Sequence, residues 1–184
     1  MEAVAKKMIS VYDLVMVALF AALIAVCAWI TVPGAIPFTL QTMGVFLAVG
    51  LLGGKRGTAA VLVYILLGAV GMPVFSGFSG GIGRLMGVTG GYIIGFLVSA
   101  LAMWGMEALF GSRKWVLPVS MLVGLALCYL FGTLWFLVLY TSKTGPITFW
   151  AVMLKCVIPF ILPDLAKIGI ALLLSVKLKR FLRK

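Results

Sequence analysis

Histidine is absent from this chain of 184 residues, and acid is scarce: Glu2, Asp13, Glu107 and Asp164 are the only carboxylates. With so few, no paired acids, metal-ligand set or base-activated nucleophile can be assembled, so catalytic and metal-binding roles are excluded. No GxxxxGK[ST] stretch is present, so the chain does not itself hydrolyse a nucleotide. Cys27, Cys128 and Cys156 lie singly inside apolar runs. They fit neither a disulfide framework nor a metal site and read as small buried apolar residues.

Charge of any sign is rare. Charged residues make up 10% and hydrophobic residues 64% of the chain, with a mean hydropathy of +1.26. Soluble domains carry about 25% charged residues, so the reading is an all-α integral membrane protein. The net charge of +11 would suggest nucleic acid in a soluble protein. These basic residues instead form short clusters between apolar runs, which is how loops set orientation in a bilayer. Nucleic acid is therefore not expected as a partner. Lys6 and Lys7 precede an apolar run too long for a signal peptide, which reads as a first spanning helix.

Hydropathy and turn residues divide the chain into six spans forming one domain over 1–184, at about 11–31, 40–53, 58–71, 91–110, 115–140 and 149–178. The second and third are short for a bilayer of about 30 Å, so at least one should extend into its flanking loop. In the last segment Pro159 and Pro163 should kink or restart the helix; Pro163 suits the first turn of a new one, with Asp164 just behind it. Placing both termini in the cytoplasm puts Lys55, Arg56, Arg113, Lys114 and the basic C-terminus inside, leaving only Arg84 and Lys143 in outer loops. Asp13 reads as a solvated charge at a helix start. In the first span Ala18, Ala21, Ala22, Ala25 and Ala28 recur at spacings of three and four, a shallow stripe that allows close helix packing, either within the chain or with a partner.

Two stretches carry polar chemistry. In Gly71 to Phe96, which holds nine of the 22 glycines, Arg84 has no acid nearby in sequence. Glycine frees backbone N–H groups to face a ligand, and irregular backbone at membrane depth is tolerated only where buried or lining a cavity. Thr89-Gly90-Gly91-Tyr92 opens the next helix, at the positive end of its dipole. In the last span Asp164 and Lys167 share a face. They are either a mutual ion pair locking the helix or the wall of a pocket, offering an acceptor and a donor at zero net charge. Arg84 either faces headgroups or grips a carboxylate with its planar fork. Thr39 and Gln41 in the loop after the first span add uncharged hydrogen-bonding groups. Phe75, Phe78, Tyr92 and Trp150 could supply apolar walls, but for any one of them a place in the aromatic belt is the stronger reading, and Tyr64 reads as packing. Together these features fit a ligand with a carboxylate, a compact apolar body and a neutral head bearing N–H and C=O.

Pro37-Phe38-Thr39-Leu40-Gln41-Thr42, Gly71-Met72-Pro73-Val74-Phe75, Gly87-Val88-Thr89-Gly90-Gly91-Tyr92 and Pro163-Asp164-Leu165-Ala166-Lys167 together resemble the BioY family, in order and over essentially the whole chain. That family comprises the biotin-specific substrate-binding (S) components of energy-coupling-factor (ECF) transporters. The resemblance implies the six-helix S-component fold, a biotin site open to the outside, location in the plasma membrane, and partnership with a transmembrane coupling protein and two ABC-type ATPases. It implies ligand roles for Asp164, Lys167, Arg84, Tyr92, Thr39, Gln41 and Gly90, and a coupling-protein contact at Ala18 and Ala22. No cofactor is implied beyond the ligand. Val88 and Pro163 depart from the proline and glycine common at those places in the family, so loop geometry and the start of the last helix should differ locally. Another carboxylated vitamin as ligand, or a small membrane interaction protein without transport, are the rival expectations.

Overall fold

The computed structural model describes residues 10–32, 37–111 and 113–182, with side chains for all of these but 181 and 182. Lys6 and Lys7, and the last two residues of the basic C-terminus used above to argue orientation, lie outside the described residues. Helix α1 spans Val11–Trp29 and leads into a short antiparallel hairpin, β1 Thr31–Val32 and β2 Phe38–Thr39, with Thr31 opposite Thr39. Helices α2 Gln41–Leu52, α3 Gly54–Ala69, α4 Ile82–Leu85, α5 Gly90–Phe110, α6 Val116–Thr144, α7 Phe149–Cys156 and α8 Ile158–Leu182 follow. α1, α5, α6 and α8 are long and apolar enough to cross a membrane.

α2 is the centre of the bundle. Nearly all of its residues from Gln41 to Leu51 are buried, as expected for a helix that is apolar all round. α3, α1, α5 and α8 pack around it. Residues 54–57, left between the second and third expected spans, are instead the first turn of α3. Only Gly53, at φ 81°, separates α2 from α3. The fold permits this because Glu107 of α5 accepts the Gly54 N–H, placing a carboxylate at the start of α3 where the dipole favours it. Gly57 also lies against the Val49 backbone, where a Cβ would collide. Asp13 is likewise not a free solvated charge: its carboxylate meets Arg56 of α3 at 2.8 Å.

The stripe of alanines in α1 divides. Ala21, Ala25 and Ala28 are buried against the bundle, while Ala18 and Ala22 face outward beside Leu14, Val15 and Leu19. α6 runs to Thr144 rather than ending near Tyr140, since nothing stops it before Gly145 at φ 121°. In the last segment the break falls at Val157 (φ −123°), not at Pro163. Pro159 takes up the first turn of α8, where a missing N–H costs nothing. Pro163 therefore lies within the helix, with no N–H to offer the Pro159 carbonyl.

The glycine-rich stretch is ordered by side chains from both sides. Trp29 Nε1 of α1 donates to Pro73 O at 2.8 Å, and Trp135 Nε1 of α6 donates to Gly87 O at 3.1 Å. Gly81 N donates to Gly68 O at 2.7 Å, closing the loop onto α3. Phe78 adopts φ 52°, rare for a bulky residue, with its ring stacked on Trp29 at 5.2 Å.

Candidate ligand-binding site

The glycine-rich loop, the β2–α2 corner, the start of α5, the middle of α6 and the first turns of α8 enclose one cavity. It has about 700 Å³ of empty space counting its mouth and the open space beyond it. Six residues singled out from sequence line it: Thr39, Gln41, Arg84, Tyr92, Asp164 and Lys167. They come from four separate stretches of chain.

Asp164 and Lys167 sit one turn apart on the buried face of α8, 4% and 5% exposed, with Lys167 Nζ donating to Asp164 Oδ1 at 2.8 Å. The two readings of this pair are thus not exclusive. It is a mutual ion pair, and it is also cavity wall. Lys167 donates further to Thr39 O at 2.6 Å, and the Phe38 ring centroid lies 3.8 Å from Nζ. A lysine has three hydrogens to give, so the protein itself occupies most of its capacity and uses it to pin the hairpin onto α8. Asp164 Oδ2 accepts from Tyr129 at 2.5 Å. An ionised carboxylate offers about four lone-pair positions, so Asp164 retains capacity for a ligand N–H.

Thr39 and Gln41 form a linked set around the corner. Thr39 Oγ1 donates to Gln41 Oε1 at 2.9 Å, and Gln41 Nε2 donates to Tyr64 Oη at 2.6 Å. Tyr64 is fully buried, edge-on to Phe75, in the packing role expected of it. Its hydroxyl holds the Gln41 amide in one orientation. Tyr92 contacts Thr133 through the two hydroxyls at 3.3 Å, and its ring lies against Gly132, where a Cβ would not fit.

Arg84 is partly buried, with Nη2 3.4 Å from Ser76 Oγ and Nε buried without any hydrogen-bond partner. Among the described residues no carboxylate pairs with it. The cavity therefore holds one compensated charge pair and one uncompensated guanidinium. That arrangement attracts a monoanion, since a fork of N–H donors matches a carboxylate.

Two expectations are corrected. Gly90 does not line the cavity: it packs against the Leu85 backbone, where a Cβ would collide, and so joins α4 to the start of α5. Phe75 is buried beneath Gly68, while Phe78 and Trp150 are 64% and 63% exposed. The apolar walls come instead from Ile93, Phe96, Leu125 and Phe160. Tyr129 escaped the sequence reading altogether. A tyrosine in the middle of a spanning helix needs a partner for its hydroxyl, which was the available signal, but nothing in sequence placed Asp164 across from it. Ser76, Thr42 and Thr89 add further hydroxyl-bearing wall.

Comparison with known proteins gives a consistent picture. The model of the BioY family matches residues 3–184. The biotin transporter BioY of Thermotoga maritima is 41% identical over 171 residues, spanning 91% of this chain and 96% of that protein. The probable biotin transporter BioY of Pyrococcus horikoshii is 40% identical over 165 residues, spanning 89% and 94%. The crystal structure at 2.1 Å of the S-component for biotin from an ECF-type ABC transporter superposes with a TM-score of 0.78 at 25% identity, over 100% of this chain and 96% of that one.

Proposed function

The chain belongs to the BioY family, and on that premise we propose that it captures biotin in the cavity described above and hands it to an ECF coupling module for ATP-driven uptake. It is a multi-pass protein of the plasma membrane. One observation supports the ligand most directly: a cavity with apolar walls joins a charge-compensated Asp164–Lys167 pair to an uncompensated Arg84. Biotin has the complementary parts, a ureido head, a compact bicycle and a carboxylate. In this reading Asp164 accepts a ureido N–H, Tyr129 and Lys167 hold Asp164 in place, and Arg84 meets the valerate carboxylate. Thr39, Gln41 and Tyr92 complete the polar contacts.

The single domain spans the bilayer six times, as α1, α2, α3, α5, α6 and the α7–α8 pair, with both termini in the cytoplasm. The grouping of Lys55, Arg56, Arg113, Lys114 and Lys179 at the end of the bundle away from the cavity supports this. α2 and α3 are too short to span about 30 Å alone, and the loops at their ends complete the crossing. ATP is hydrolysed by the two partner ATPases. The transmembrane coupling protein docks on the outward face of α1 at Ala18 and Ala22, where small exposed side chains let a helix approach closely. Ala18→Trp leaves biotin affinity within about twofold and reduces uptake by at least about tenfold, because the change is remote from the cavity and blocks close approach. Transport at the parental rate removes the docking assignment.

Calorimetric titration of the detergent-purified chain with biotin tests the ligand, with other carboxylated vitamins as controls. Saturable binding of one biotin per chain is the expected result. Absence of saturation, or equal affinity for a control vitamin, overturns the biotin reading.

A further inference from the structure

At the far end of the bundle, α2, α5, α6 and α8 surround a second cavity, with about 900 Å³ of empty space counting its mouth. Met103, Leu117, Leu172 and Val176 make an apolar floor. The rim is cationic, from Arg113 and Lys114 in the turn after α5 and Lys179 on α8. None of these three forms an ion pair among the described residues. The one carboxylate in the wall, Glu107, is already engaged by the Gly54 N–H at the start of α3. Phe110 and Trp115 flank the turn, 5.4 Å apart and each about half exposed, the placement aromatic rings take at headgroup level.

The two halves of this cavity ask for different things. A free inorganic anion would satisfy the rim and leave the apolar floor in water, which is unfavourable in proportion to the area left wet. A zwitterionic lipid would cover the floor and bring its own cation against three others. An anionic phospholipid answers both: its phosphodiester meets the rim and its acyl chain fills the cleft, in the manner of basic pockets between spanning helices. We propose that this cavity is a site for one anionic phospholipid, held by Arg113, Lys114 and Lys179. The site shares no residue with the biotin cavity and stands or falls independently of it.

Native mass spectrometry of the full chain, released from detergent with phosphatidylglycerol or phosphatidylcholine of the same acyl chains, tests this. One phosphatidylglycerol is retained and phosphatidylcholine is not. Lys114→Gln with Lys179→Gln lowers that retention about thirtyfold, taking each cation near a lipid surface at its usual worth. Lys177→Gln with Arg180→Gln removes equal charge from exposed positions of α8 and changes it by less than about threefold in about 0.15 M salt. Lipid-free melting temperatures that match the parent show that both variants are folded. Equal loss in the two pairs reduces the effect to general basic charge and overturns the site. Equal retention of both lipids, or displacement of phosphatidylglycerol by millimolar inorganic phosphate, overturns it as well.

Discussion

Two ion pairs of the same length stand near opposite ends of this bundle. Asp164–Lys167 and Asp13–Arg56 both measure 2.8 Å, yet their side chains are 6% and 6% exposed in the first and 23% and 49% in the second. Distance alone would rank them equal. Burial separates them, because removing ions from water costs several kcal/mol each, a cost offset only by good geometry and further hydrogen bonds. Asp164–Lys167 has those further bonds in Tyr129 and Thr39. Asp13–Arg56 stays in contact with water, which screens it. The buried pair can therefore hold a fixed pattern of acceptor and donor for a ligand, and the exposed pair can do little more than link α1 to α3.

Breaking the buried pair should have the largest effect. Asp164→Ala leaves Lys167 charged in the interior without its counter-ion, which costs about 3–5 kcal/mol of stability and weakens biotin binding at least about a hundredfold. Thermal melts and calorimetry check both. Asp164→Asn with Lys167→Met sharpens the point: stability returns to within about 1 kcal/mol of the parent, since an uncharged pair of similar size carries no ionic desolvation cost, while biotin affinity stays lost. If the double variant regains biotin, the pair is only a structural lock.

A smaller loss follows from Arg84→Gln. Biotin affinity falls about 10- to 100-fold, the usual worth of a hydrogen bond to a charged group, whereas biotin methyl ester binds both proteins equally. A parallel fall for the ester would detach Arg84 from the carboxylate. Least affected should be Asp13→Asn, which shifts stability by no more than about 1 kcal/mol and by less still at high salt. A larger shift would mean that exposure is a poor guide to the energetics of the pair.

Much of this molecule was legible because its constraints are local. An apolar run near 20 residues long, with glycine or proline at its ends, has few alternatives in a bilayer, and α1 and α5 start and stop within two residues of expectation. Ionisable residues inside such runs, Asp164 and Lys167, mark themselves out by their cost. Boundaries failed where a distant residue decided them or where two candidate stops lay close together. The α3 start at Gly54 depends on Glu107 from α5. The break at Val157 rather than Pro163 depends on which of two nearby prolines takes the first turn of α8.

Composition and spacing by themselves determined that the chain is a helical membrane protein, that its basic residues cluster between spans, and that Asp164, Lys167 and Arg84 need special surroundings. Each of these follows from what hydrocarbon forbids to a single residue or segment. Only the tertiary structure decided that Tyr129 shares Asp164 with Lys167, that Gln41 is fixed by Tyr64, and that Gly90 packs rather than lines the cavity. Those outcomes depend on which faces of separate helices meet. Contacts between helices, near or far in sequence, are set by the packing of the whole bundle, and no local pattern encodes them.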